Sequence, residues 1–278
     1  MKLIESKVEI IEQQPGLEGV YKQIELAGRT CYKSEDKITE DSAKEFVDRM
    51  IKSKHGAMLE HGTVYLKIRA NYDIANQTWN IPQNFFPFFF ERNKYSKVEK
   101  IEFDDICDWY ITTNMRVIVE HDLYDCLKYI CEPTEFHEKR ITARFTCDRG
   151  VSHEIVRHRV MSFAQESTRY CNYSKDKFGN ELTFIKPSWY SKTLENKHGG
   201  FERFLEDSQS LYISLLDQGY LPQEARACLP NALKTEIVVT GFESDWEHFF
   251  ELRTAGAAHP DMRKLALELQ EKLNSVNK

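Results

Sequence analysis

The spacing of apolar residues predicts a helix and then a strand in the first quarter of the chain. Apolar residues recur at the period of an amphipathic helix at Ala43, Phe46, Val47, Met50 and Ile51. Asp41 or Ser42 can cap this helix, and it ends near Gly56. Apolar and polar residues then alternate from Val64 to Ile68, which is the period of a half-buried strand.

The same two periods predict a strand, a helix and a second long helix further along. Alternation from Ile141 to Asp148 indicates a strand, and a helix is expected to follow from Ser152. Apolar residues at helical spacing predict a long helix from Phe201 to Leu216, which Gly219 stops.

The last part of the chain is predicted to be mainly helical. Leu221-Pro222 begins a short element that carries Arg226, and alternation from Thr235 to Val239 suggests another strand. Ser244 and Glu247 form a capping-box pattern for an aromatic helix. Pro260 lies in the first turn of a final helix.

These elements predict an α+β fold, with a mixed or antiparallel sheet flanked by helices. The strands do not alternate regularly with crossover helices, as a doubly wound fold requires. No repeat, low-complexity tract or linker divides the 278 residues. We therefore expect a single domain over residues 1–278.

Composition and charge exclude several classes of partner. The net charge of -6 disfavours nucleic acid or an anionic membrane as the main partner. The longest apolar runs, such as Phe85–Phe90, are far shorter than a membrane span, and the chain does not start with a signal-like apolar segment. These features predict a cytoplasmic protein.

The cysteines and histidines do not suggest a metal site. The seven cysteines are odd in number, scattered and without a CxxC pair, so we expect reduced thiols. The pairs His55/His61 and His153/His158 lack the spacing and companion ligands of a zinc site. The prediction is therefore no metal.

The most polar motif is Arg157–Tyr170, with the sequence RHRVMSFAQESTRY. Guanidinium groups match phosphate and carboxylate, and Ser or Thr hydroxyls complete the coordination of phosphate oxygens. The motif is a candidate anion site, and a solvated basic helix turn is the ordinary alternative. Arg157, His158 and Arg159 are consecutive and point about 100° apart on a helix, which implies at least two ligands or two subunits.

Arg157-His158-Arg159, seven further residues and then Ser167 form a pattern similar to the signature of the flavin-dependent thymidylate synthase family. Arg169-Tyr170 continues the resemblance. It is supported by Glu60-His61, by Ala225-Arg226 before Leu229-Pro230, and by Leu252-Arg253. These anchors span most of the chain in the order that the family has.

The resemblance implies reductive methylation of dUMP to dTMP. FAD would be the cofactor, methylenetetrahydrofolate the one-carbon donor and NADPH the reductant. Hydride from reduced flavin would replace the addition of a thiolate to the ring, so no catalytic cysteine is needed. The implied assembly is a homotetramer whose active sites draw on several subunits.

The resemblance also implies roles for individual residues. The implied flavin contacts are His61, Thr63, Arg157, His158, Arg159, Gln165 and His248. The implied contacts with the nucleotide are Glu154, Arg157, Gln165, Glu166, Ser167, Thr168, Arg169, Arg226 and Arg253. Ser167, Arg169 and Arg226 match phosphate ligands.

By the same resemblance, Arg253 is the catalytic arginine that stabilises negative charge on the ionising pyrimidine ring. Two of these assignments keep alternatives. His61 is equally well explained as a satisfied histidine at a strand end. Arg253 can instead be a surface arginine paired with Glu247 or Glu251.

The sequence departs from the family pattern at several positions. Glu154 replaces a common glutamine that contacts the uracil, and an ionised carboxylate only accepts hydrogen bonds. Ala164-Gln165 replaces Asn-Glu. Phe242 and Ser244 occupy an Asn-x-Arg pattern that usually helps to hold FAD, and His248 occupies a second asparagine position.

The segment 70–140 is longer than the family norm, which predicts an insertion of unknown purpose. Three other functions stay open. One is a noncatalytic nucleotide-binding or flavin-binding homologue, and another is a flavoenzyme acting on a different pyrimidine. The third, a nucleic-acid-binding module, is disfavoured by the acidic balance.

Overall fold

The computed structural model describes residues 1–73, 75, 77–81, 87–174, 179, 181–191 and 200–276. The helices in these ranges are α1 (Gly16–Tyr32), α2 (Ser42–Lys52), α3 (Gly56–Leu59), α4 (Pro87–Arg92), α5 (Met115–Glu120), α6 (Arg149–Ile155), α7 (Phe201–Asp217), α8 (Pro222–Ala225), α9 (Glu243–Arg253) and α10 (Pro260–Val276). The strands are β1 (Lys2–Ile4), β2 (Lys7–Ile11), β3 (Thr63–Asp73), β4 (Thr78–Asn80), β5 (Lys97–Phe103), β6 (Ile106–Asn114), β7 (Arg140–Asp148), β8 (Ser162–Gln165), β9 (Thr183–Ile185) and β10 (Lys234–Phe242).

The central sheet has the strand order β2-β7-β10-β8, and its pairs are antiparallel. One face carries Phe145 and Ile237, which are fully buried against Trp246 of α9 and Leu265 of α10. Since side chains alternate across a strand, the next residues face the opposite side, where Val238 joins the core that includes α1. Helices therefore cover both faces of this sheet.

A second antiparallel sheet has the order β4-β3-β6-β5. Its long β3–β6 pair runs from Thr63↔Asn114 to Asn71↔Ile106. Much of segment 70–140 therefore builds one sheet together with β3, which itself crosses position 70. The division of the chain into a domain and an insertion stays a prediction. Phe85 and Phe86 of the aromatic run lie outside the described residues, and Phe90 is fully buried.

The parallel pair β1–β9 forms a third, smaller sheet. Phe184 of β9 packs with Leu205 and Tyr212 of α7 in its own apolar cluster. The α+β prediction with antiparallel or mixed sheets is confirmed, and the predicted strands correspond to β3, β7 and β10.

Two helices begin earlier than the sequence pattern predicted. Helix α6 begins at Arg149 rather than Ser152, because the Asp148 carboxylate caps it by accepting a hydrogen bond from the Val151 N–H at 2.8 Å. Helix α9 begins at Glu243, and the Asp245 carboxylate accepts the Phe242 N–H at 2.9 Å. The Ser244/Glu247 capping box was therefore a wrong assignment.

Candidate functional site

Arg253, at the end of α9, is held by three hydrogen bonds to α6 and the residues after it. Its Nε donates to Nε2 of His158 at 3.0 Å, Nη1 donates to Oε2 of Glu154 at 2.7 Å, and Nη2 donates to the Glu154 carbonyl at 2.9 Å. A planar guanidinium meets all three acceptors in only one orientation. The carboxylate partner of Arg253 is Glu154, and the suggested pairing with Glu247 or Glu251 was wrong.

His158 is the neutral member of this cluster. Burial, with smaller contributions from the nearby charges of Arg253 and His248, lowers its pKa from 6.5 to about 4. A protonated imidazole has no acceptor nitrogen, so the low pKa keeps the hydrogen bond from Arg253 available at neutral pH. The ring also packs on Phe249, with the ring centroids 4.9 Å apart.

A pocket of about 250 Å³ opens beside Arg253, and its lining includes Arg157, His158, Arg159 and His248. Arg157 and Arg159 are exposed, and Nε of Arg157 donates to the His153 carbonyl at 3.2 Å. His248 is exposed as well. The structure thus brings these four implied flavin contacts together with the implied catalytic arginine.

A second group of predicted residues lies in the segment Ser167–Tyr170, which we call the Ser167 loop. The Ser167 N–H donates to the Cys31 carbonyl at 3.0 Å. Arg226 donates from Nη1 to the Thr168 hydroxyl at 3.1 Å, and Arg169 is exposed above the Tyr170 ring. Two exposed arginines and a serine therefore gather around one loop, as the phosphate-binding prediction requires.

Gln165 and Glu166 are committed to contacts inside the protein. Gln165 donates from Nε2 to the hydroxyls of Ser152 at 2.8 Å and Thr235 at 3.2 Å. Glu166 is buried, and its two carboxylate oxygens meet Tyr173 and Lys234. Direct contacts of these two side chains with flavin or nucleotide stay a prediction. The internal hydrogen bonds disfavour such contacts, because they already occupy Nε2 of Gln165 and both carboxylate oxygens of Glu166.

His61 and Thr63 lie inside the protein. The fully buried ring of His61 shares a hydrogen bond of 2.9 Å with the Thr240 hydroxyl. Thr63 accepts from the buried Arg140 guanidinium at 3.3 Å and lines a separate cavity of about 370 Å³. Only Nδ1 of His61 is satisfied, because its buried Nε2 has no hydrogen-bond partner among the described residues. The flavin contact and the alternative of a satisfied histidine both stay predictions.

The other departures from the family pattern have defined surroundings. Ala164 is 1% exposed and Phe242 is 3% exposed, so neither side chain is available to a ligand. The Ser244 hydroxyl donates to the Glu138 carboxylate at 2.5 Å. Phe242 and Ser244 therefore offer neither the amide nor the guanidinium group of an Asn-x-Arg pattern.

The predicted residues thus form two clusters within one chain. The first, around Arg253, contains Glu154 and His158, and the second is the Ser167 loop with Arg226. Among the residues that the structure describes, no hydrogen bond or ion pair joins the two clusters directly.

The sequence analysis missed the charged residues behind the Ser167 loop. Lys234 and Glu236 point to the same side of β10 and form an ion pair with each other. Lys234 also pairs with Glu166, which directly precedes the loop. Lys33 reaches Glu236 from the end of α1. The available signal was the presence of two charged residues, two positions apart, in a strand that is otherwise largely apolar.

The described ranges contain neither a metal-binding group of side chains nor a membrane-spanning helix. No group of three or more His, Cys, Asp or Glu side chains there is placed to hold a metal ion. No helix in that part of the chain has the length and apolar character needed to cross a membrane.

Comparison with protein families gives a match over residues 123–277 to the model described as thymidylate synthase complementing protein. The chain is 35% identical over 128 residues to a flavin-dependent thymidylate synthase of Geobacter sulfurreducens, covering 46% of this chain and 53% of that protein. A Saccharolobus solfataricus protein of the same name is 27% identical over 173 residues, covering 62% and 61%. The chain therefore spans about half the length of the first of these curated relatives.

Among solved structures, the chain is similar to a UMP/dUMP methylase, PolB, from Streptomyces cacaoi, bound with 5-Br dUMP. The TM-score is 0.45 at 16% identity, and the match covers 99% of this chain and 93% of that one.

Proposed function

Because this chain belongs to the thymidylate synthase complementing protein family, we propose that it converts dUMP to dTMP as a flavin-dependent thymidylate synthase. Methylenetetrahydrofolate would supply the one-carbon unit and NADPH the reducing equivalents. The observation that carries the proposal is the fixed Arg253 guanidinium at a pocket whose wall includes Arg157, His158 and Arg159.

Arg253 is proposed to act on the pyrimidine ring. Three of its N–H groups are used to fix it, and Nη1 and Nη2 each carry a second N–H. A cation held in one orientation stabilises negative charge that develops on the ring without reorganising. Neutral His158 contributes by positioning this cation while adding no charge of its own.

The pocket residues fit a flavin dinucleotide as cofactor. Exposed Arg157 and Arg159 supply donors suited to its pyrophosphate, and bound FAD would supply hydride to the ring. A pocket of about 250 Å³ encloses only part of such a ligand. The remaining enclosure would come from another subunit.

A homotetramer would explain why the clusters are separate within one chain. The Ser167 loop and Arg226 would bind the nucleotide phosphate, and Arg253 from a neighbouring subunit would meet the ring. Val156, Val160 and Leu252 lie near the pocket and are 38%, 50% and 50% exposed. Apolar residues grouped in this way favour a subunit contact. A cytoplasmic location stays a prediction.

The Glu154–Arg253 ion pair supports a second candidate, a flavoenzyme acting on a different pyrimidine. At 2.7 Å, the carboxylate partly neutralises the charge that Arg253 offers to the ring. The Glu154 carboxylate also places a hydrogen-bond acceptor beside the N–H donors of Arg253. A donor and an acceptor side by side can pair with the hydrogen-bonding edges of more than one pyrimidine. Comparing dUMP with dCMP and UMP as substrates distinguishes the two proposals.

The test is to purify the protein, record its flavin spectrum, and assay dTMP formation from dUMP with methylenetetrahydrofolate and NADPH. Arg253→Ala should retain FAD and lose at least about 100-fold in turnover, because it removes transition-state stabilisation. Arg203→Ala is the matched control, since Arg203 is 82% exposed on α7 and should leave turnover unchanged. A colourless protein that neither binds FAD nor forms dTMP would contradict the proposal.

A further inference from the structure

A buried ionic network lies behind the Ser167 loop and consists of Lys33, Glu166, Tyr173, Lys234 and Glu236. Nζ of Lys234 contacts Oε2 of Glu166 at 2.9 Å and Oε1 of Glu236 at 2.6 Å. Nζ of Lys33 lies 2.8 Å from Oε1 of Glu236. The Tyr173 hydroxyl donates to Oε1 of Glu166 at 2.8 Å.

The network attaches both ends of the Ser167 loop to the rest of the fold. Glu166 directly precedes the loop, and Tyr173 follows it by three residues. The backbone repeats the attachment, because the Glu166 N–H donates to the Glu236 carbonyl at 2.8 Å. On the other side, the Ser167 N–H donates to the Cys31 carbonyl, beside Lys33 at the end of α1.

Charge balance keeps Glu236 and Lys33 ionised although both are largely buried. Burial would raise the pKa of Glu236, but Lys234 and Lys33 outweigh it and hold that pKa at about 2. Burial would likewise lower the pKa of Lys33, but Glu166 and Glu236 raise it. The side chain of Glu166 is only 1% exposed, so a change in the loop that removed it from Lys234 would leave a buried charge unpaired.

We propose that this network holds the Ser167 loop in the conformation that binds the nucleotide phosphate, with Glu166 and Lys234 as its central positioning residues. The inference rests on the proposed function, in which Ser167, Arg169 and Arg226 contact the phosphate. It assigns Glu166 an indirect role in place of the direct nucleotide contact expected from the sequence. A buried, hydrogen-bonded ion pair is suited to this role because it favours one arrangement over near alternatives.

The experiment measures dUMP binding to the FAD-loaded protein by calorimetry, together with KM for dUMP and kcat. Glu166→Gln and Lys234→Met should each raise the dissociation constant and KM by about tenfold or more, with kcat at saturating dUMP changed by less than about threefold. Lys234→Arg keeps the charge and should recover most of the affinity. Tyr173→Phe removes one hydrogen bond and should cause a smaller loss.

Glu25→Gln is the matched control, since Glu25 forms a similarly buried pair with Arg29 and also accepts from Ser42. It should leave dUMP affinity unchanged. If Glu166→Gln and Lys234→Met fold and bind dUMP with wild-type affinity, the inference about the network is overturned, and the proposed function is not. If these two variants do not fold, wild-type dUMP affinity and KM in folded Tyr173→Phe would overturn the inference, because this variant removes a hydrogen bond to Glu166. Failure of the wild-type protein to bind dUMP would overturn the proposed function as well.

Discussion

The burial of His61 leads us to expect that the folded chain becomes less stable at acidic pH. Burial, together with the smaller effect of the Arg140 charge, lowers the pKa of this ring from 6.5 to about 3. The folded protein therefore keeps His61 neutral at pH values where the unfolded chain protonates it. Stability rises with pH wherever the unfolded state binds more protons, so His61 makes the protein less stable as pH falls below about 6.5.

The magnitude follows from the two pKa values. Below pH 6.5 the unfolded chain binds about one extra proton at this site, which corresponds to a slope of about 1.4 kcal/mol per pH unit. Including the partial protonation near pH 6.5, His61 alone lowers the free energy of unfolding by about 2 kcal/mol between pH 7 and pH 5. This figure hardly changes if the folded pKa is about 4 rather than about 3.

The assay is urea unfolding of wild type and His61→Asn at pH 7, 6 and 5, at one protein concentration. Asparagine preserves a polar group near Thr240 and does not titrate. The loss of stability between pH 7 and 5 should be about 2 kcal/mol smaller in the variant. His248→Asn is the control, because the His248 side chain is 64% exposed and its replacement should preserve the wild-type dependence. Equal pH dependence in wild type and His61→Asn would refute the argument.

Two further predictions concern stability. Gly28→Ala places a Cβ against the ring of Phe46 and should lower the free energy of unfolding by about 1–3 kcal/mol. Gly256→Ala is the control, because no described atom lies within 4 Å of the added Cβ. It should change the free energy of unfolding by less than about 0.5 kcal/mol in the same assay. Asn114→Ala removes the N-cap that accepts the Val117 N–H at 3.2 Å and should lower Tm by about 2–4 °C. Asn114→Asp keeps the cap and should melt like wild type, and equal melting of both variants would contradict the capping role.

Helix α1, which the sequence analysis did not predict, shows where apolar periodicity fails as a signal. Helix α1 places Val20 and Ile24 in the core, but Gln23, Glu25 and Arg29 are buried as well. These polar residues interrupt the apolar period on which the prediction depends. Their burial is tolerated because Arg29 donates to Glu25 at 2.9 Å, a pairing that hydrophobicity does not indicate.

The sequence by itself determined the α+β class, strands β3, β7 and β10, and the arginine-rich motif with its chemistry, because residues close in the chain set periodicity and local composition. Only the tertiary structure decided that His61 is enclosed, that Glu154 pairs with Arg253 across 99 residues, and that Glu166 meets Lys234 across 68. Such contacts depend on which distant segments pack together. Packing sets burial, and burial decides whether a charged or titratable group is paired, neutral or free to meet a ligand.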